Sequence, residues 1–186
     1  EVVNNFTTLQ PVLMGVLISV VFAFLIVSPF STVAVATAIA LAGIGSGSAN
    51  LGVVATSFGL AIAGWKVNSF GTSIAHILGS PKMQMANFVK KPIMLVPMLC
   101  NAAVLGALAA IFNIQGTPMS AGFGISGLIG PINAINLMEG GYSFGNIAIL
   151  ILVFLIAPIV LSLVFNYIFT KVIKIVKAED YKLIFE

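Results

Sequence analysis

Arginine is missing from this 186-residue chain, and cysteine, histidine and tryptophan occur once each. Charged residues make up 7% of it, against about 25% in a soluble domain. Each shortage closes off a class of function. The single cysteine, Cys100, lies in an apolar stretch, so no disulfide framework or thiol metal site is expected. Without arginine, the net charge of +3 rests on lysine alone. Those lysines stand beside long uncharged runs, which is the mark of membrane topology rather than of a nucleic-acid surface. The run GFGISG (Gly122 to Gly127) fits the dinucleotide spacing G-x-G-x-x-G, but it has no preceding strand and no βαβ unit around it. It is read as coincidence, and no cofactor, metal ion or catalytic residue is expected.

What is abundant is apolar: 60% of the residues are hydrophobic, and mean hydropathy is +1.16. No soluble fold of this length hides that much apolar surface. Every lysine falls in Lys66 to Lys91 or Lys171 to Lys182. The expected class is therefore an all-α integral membrane protein, lodged in the lipid bilayer, with about four to six transmembrane or re-entrant helices and a glycine-rich broken segment.

The chain is read as a single membrane domain over residues 1–186. A first span is expected over 9–28, opened by Pro11 and closed by Pro29. Residues 31–65 form two short spans or a re-entrant hairpin, separated by the string GIGSGSAN. A cytoplasmic loop with interfacial helices follows over 66–91, then a span over 92–114. The stretch 116–141 is broken or re-entrant, 147–169 is the last span with a kink at Pro158, and 170–186 is a cytoplasmic tail. If both lysine clusters are cytoplasmic, parity puts the N-terminus outside. The apolar start has no basic n-region or cleavage site and does not resemble a signal peptide. The reading expects a piece of a longer protein.

Gly116 to Gly141 is the foremost candidate site, because so many glycines and prolines are tolerated at membrane depth only where protein or a water-filled cavity satisfies the backbone. Thr117, Ser120, Gly122, Gly124, Ser126 and Asn133 would line that cavity. Glu139 is the only charge between Lys91 and Lys171; it is either an intramembrane functional carboxylate or an exposed turn beside Gly140 and Gly141. His76 is a surface or packing residue, or a partner for sugar hydroxyls together with a carboxylate. Asn50, Asn101, Asn113, Asn133 and Asn136 either donate to a solute or join helices to one another.

Four strings, SPFSTVAVATAIALAG, GWKVN, FNIQGTPMSAGFGISGLIGPINA and KAEDYKL, resemble a known family over nearly the whole chain. It is enzyme IIC, the membrane-permease subunits of the bacterial phosphoenolpyruvate-dependent sugar phosphotransferase system. The nearer likeness is to a branch of IIC-like membrane proteins that includes proteins named as regulators of toxin expression. The resemblance implies a multi-pass permease of the bacterial plasma membrane, built from two related halves of which this would be the C-terminal one. It also implies a homodimer, the N-terminal half as partner, and a IIB-type phosphocarrier. His76, Asn136 and Glu139 match the positions that hold the sugar, although Gly140 stands where the usual motif has proline. No phosphoryl-accepting segment is present, so the chain would be at most the membrane subunit of a sugar phosphotransferase.

The expected function is binding and translocation of a small hydroxylated solute, which the resemblance implies is a sugar. The alternatives are a ligand-sensing regulator that moves nothing, and a transporter uncoupled from phosphate.

Overall fold

The computed structural model describes residues 2–184, so Glu1, and Phe185 and Glu186 of the expected tail, lie outside it. The described residues form helices and no strand: α1 (Val2–Leu9), α2 (Pro11–Leu25), α3 (Thr32–Ala38), α4 (Gly43–Ala63), α5 (Phe70–Leu78), α6 (Met85–Lys90), α7 (Val96–Ile111), α8 (Ile129–Leu137), α9 (Phe144–Ile151) and α10 (Ala157–Tyr167). Among the described residues, three helical stretches are long and apolar enough to cross a membrane: α4, Pro92–Ile111 and Phe144–Val172.

The centre is built by α2, α4 and α7, and small residues let them approach. A Cβ on Gly52 of α4 would strike the Ser19 carbonyl of α2, and Gly15 of α2 and Gly106 of α7 each put a carbonyl where the other's side chain would stand. Hydroxyls then tie the helices together: Ser19 Oγ donates to the Ala102 carbonyl at 2.7 Å and Thr56 Oγ1 to that of Ala23 at 3.1 Å. Asn101 reaches from α7 to α10, donating to the Pro158 carbonyl at 3.2 Å and to Ser162 Oγ at 2.8 Å.

Two element boundaries differ from the sequence expectation. GIGSGSAN does not separate two pieces; it forms the opening turns of α4. The break falls earlier, at Ile39 to Ala42, where Ala40 takes a φ of 49°. Glycine and serine interrupt helices in water, but between packed membrane helices their small size is the reason for their use. The last helix is also longer than expected and contains π turns at Leu152–Ile156 and Ile168–Val172. The first lies just before Pro158, whose ring removes a donor and crowds the carbonyl of Phe154.

Candidate functional site

After α7 the chain turns at Asn113, with φ 51°, and forms no α-helix until Ile129. This irregular segment runs along the N-terminal half of α4. Gly43 and Gly116 exchange two backbone hydrogen bonds, of 2.9 and 3.0 Å. Ser46 Oγ donates to the Thr117 carbonyl at 2.8 Å, and Asn50 Oδ1 accepts from the Gly124 amide at 3.0 Å. Gly43, Ser46 and Asn50 are spaced by three and four, so they form one polar stripe of α4, about 10 Å long at 1.5 Å per residue. From the other side Thr32 Oγ1 donates to the Gly122 carbonyl at 3.0 Å, and below it Ser126 Oγ donates to that of Leu78 at 3.2 Å.

Gly122 and Gly124 hold φ values of 84° and 63°, which suit glycine, and Leu128 holds 58°, a strained value for a side chain of its size. The segment's own hydroxyls are largely engaged. Ser120 Oγ accepts from the Thr117 amide at 2.9 Å, Thr117 Oγ1 donates to Asn133 Oδ1 at 3.3 Å, and Asn133 Nδ2 donates to the Ile129 carbonyl at 3.1 Å.

Asn50, on the facing helix, is only half engaged. Its oxygen must face the Gly124 amide, so its Nδ2 points elsewhere, and that nitrogen is buried with no protein partner. Asn50 is 1% exposed.

Of the residues singled out from sequence, Thr117, Ser120, Gly122, Gly124, Ser126 and Asn133 thus meet in one seam. Asn136 and Glu139 are exposed, at the last turn of α8 and in the turn that follows. The Glu139 carbonyl accepts from Asn146 Nδ2 at 2.9 Å. No hydrogen bond joins His76 to Glu139 among the described residues.

His76 belongs to a second polar cluster. It is fully buried, with Nδ1 3.2 Å from the Ser73 carbonyl and Nε2 3.2 Å from Gln84 Nε2. An amide donor facing Nε2 requires that nitrogen to accept, so the proton sits on Nδ1. Burial pushes the imidazole pKa below its ordinary value, and the Ser73 and Thr72 carbonyls oppose this only in part.

Gln84 also donates to the Tyr181 carbonyl at 2.8 Å. Asn68 Nδ2 donates to the same oxygen at 2.9 Å while Asn68 Oδ1 accepts from the Leu183 amide at 2.8 Å. Asn87 adds a bond to the Lys182 carbonyl at 2.8 Å, and the buried Tyr181 hydroxyl donates to the Met94 carbonyl at 2.8 Å. Lys91 pairs with Asp180 at 2.6 Å. Burial alone would raise the Asp180 pKa, but hydrogen bonds from Lys91 and the Lys177 amide, with both lysine charges, hold it below its ordinary value. GWKVN and KAEDYKL are therefore two sides of one clasp. Gln84 and Asn87 carry no local signal for this, because their partners lie more than ninety positions away.

Irregular backbone laid along a polar stripe of a helix, inside a chain this apolar, is a feature that helical membrane transporters share. The comparison with known families makes the class specific. The chain belongs to the family described as Phosphotransferase system, EIIC, whose model matches residues 1–183. It is thus a membrane permease of phosphotransferase-system type. No curated protein and no solved structure matches the chain.

Proposed function

We propose that this chain binds a small hydroxylated solute, a sugar, along the seam between residues 117–131 and α4, and translocates it as the segment shifts against that helix. The observation that carries this reading is Asn50. A buried amide donor without a partner costs about 1–3 kcal/mol, and an uncharged hydroxyl is the partner it fits. Thr117, Ser120, Ser126 and Asn133 exchange their mutual hydrogen bonds for bonds to the solute as the segment moves, and Gly122 and Gly124 give the backbone its freedom. Asn136 and Glu139 meet the solute at the end of α8. His76 acts through the tail clasp rather than on the solute itself.

In this reading the lysine-bearing end and the tail are cytoplasmic, where a IIB-type phosphocarrier docks and supplies the phosphoryl group. The chain itself contributes binding and orientation of the sugar hydroxyl. An N-terminal half and a second copy complete the permease.

The test is uptake of a labelled sugar panel by cells expressing the full-length protein, comparing wild type, Asn50→Ala, Glu139→Gln and a host lacking the general phosphotransfer proteins. Accumulation of one sugar that needs Asn50, Glu139 and the phosphotransfer proteins supports the proposal. Accumulation that survives loss of the phosphotransfer proteins makes it an uncoupled transporter. No accumulation by membrane-inserted wild type refutes transport and leaves ligand sensing.

A further inference from the structure

At the end of the seam away from the lysines lies a pocket of about 350 Å³ that the reading above does not use. Its walls are Asn4, Thr7 and Thr8 of α1, Ile44 at the start of α4, and Asn113 and Gln115 just before the irregular segment. We infer that it is a separate binding site for an uncharged polyhydroxylated solute, the outer recognition site from which the seam is loaded. The inference rests on the permease reading for its place in transport, but not for its chemistry.

Three observations carry it. The volume is at the low end of the roughly 300–1,000 Å³ of ligand sites, which suits one sugar ring or a linear polyol rather than a chain. Among the described residues the lining contains no lysine, aspartate or glutamate, so an ionic solute would lose its hydration without gaining a counter-charge there.

The third is that the wall retains both donors and acceptors. Gln115 Nε2 donates to Asn113 Oδ1 at 3.1 Å, which leaves the Asn113 amide group and Gln115 Oε1 for a ligand. Thr7 and Thr8 spend their protons on the Val3 and Asn4 carbonyls, at 2.8 and 3.0 Å, and keep oxygen lone pairs. The Ile44 amide is in the first turn of α4, whose N-cap, Ala42, has no side chain to satisfy it. A vicinal diol, which donates and accepts at each hydroxyl, matches such a wall.

The wall is held in place. Asn4 Nδ2 donates to the Ala40 carbonyl at 2.9 Å, and Asn4 Oδ1 accepts from the Ala42 amide at 3.3 Å. Gly43, which also lines the pocket, pairs with Gly116 at the head of the seam, so the two sites adjoin at those two hydrogen bonds.

Equilibrium binding of labelled glucose, mannitol and myo-inositol to the full-length protein in nanodiscs tests this, with glucose 6-phosphate as the charged control. Asn113→Gly keeps the left-handed turn while removing the amide, and Gln115→Leu removes the second group. The expected result is that at least one neutral probe binds wild type, the phosphate does not, and each variant weakens binding tenfold or more without a change in thermal midpoint. Unchanged binding in both variants, or no binding of any neutral probe to wild type, overturns the inference. Weakened binding in Asn113→Gly with no uptake in cells would instead refute the permease reading and leave this site standing. Unchanged binding together with uptake that depends on Glu139 would do the reverse.

Discussion

α4 and the final helical stretch, Phe144–Val172, are both long enough to cross a bilayer, yet they are built on opposite plans. In α4, 94% of the most apolar window is buried, though it is the least apolar of the three long helices. In Phe144–Val172, the most apolar, 28% is buried. Val160, Leu163 and Val164 stand outward, while Ser46, Asn50, Thr56 and Ser57 are hidden. In water this arrangement would be inverted. In lipid, apolar surface gains nothing by leaving its surroundings, so close packing and hydrogen bonds decide what goes inside. Polarity collected inside is what lets the irregular segment lie along α4.

That contrast is most severely tested by exchanging the two helices' residues. Gly52→Leu should be the most damaging change, costing about 3 kcal/mol or more, because the new side chain meets the Ser19 backbone rather than a flexible neighbour. It is read as loss of the monodisperse peak of detergent-solubilised protein, and Val160→Leu on the outward face should leave that peak intact. Val160→Lys should come next, at about 2.5–3.5 kcal/mol for a charge near the helix centre, measured as the fraction of chain resisting alkaline extraction from membranes. If α4 tolerated leucine and the last helix tolerated lysine, the assignment of inside and outside would be wrong.

Asn50→Leu separates packing from polarity within α4. It strands the Gly124 amide but also removes the unpartnered Nδ2, so the net cost should fall below the about 1–3 kcal/mol of a stranded donor, seen as a slightly lower thermal midpoint.

The clasp gives the smallest effect, and a pH dependence of definite sign. His76 is held below its ordinary pKa, so its imidazole takes up a proton more readily when the clasp is open than when it is closed. Clasp stability is complete above about pH 6.5 and is lost as pH falls below it towards the depressed value. Protonated Nε2 would face the Gln84 donor, and turning that amide would cost the bond to Tyr181. Asp180 adds a further loss in more acidic solution, since its own pKa is also lowered. Proteolysis after Lys177 and Lys182 should speed up between pH 7.5 and 5.5, and Asn68→Ala should show the fast rate already at pH 7.5. Equal rates at both pH values would remove His76 from the clasp.

The class of fold was open to sequence reading because bilayers write it in long-range composition: uncharged runs, two lysine clusters and a glycine-rich stretch. GIGSGSAN was harder, since the same residues that end a helix in water open α4 here. Its i, i+3, i+7 stripe of Gly43, Ser46 and Asn50 was the available signal, and it shows only if the string is taken as helical. Thr117, Ser120 and Asn133 could be named from their setting, but their mutual hydrogen bonds depend on the path of the turn. The clasp was not legible at all: Asn68 and Tyr181 stand 113 positions apart, and only the fold brings them together.

The claim that matters most is that the segment must move along α4 for solute to pass. A Cβ on Gly116 would stand 3.1 Å from Ser46 Cβ, close to the roughly 3.5–4.5 Å that a disulfide spans. Ser46→Cys with Gly116→Cys, in a Cys100→Ala background, therefore allows the seam to be locked by oxidant and freed by reductant while uptake of the sugar found in the panel is followed. Uptake that falls on oxidation and recovers on reduction is the predicted result; full cross-linking with undiminished uptake would contradict the account.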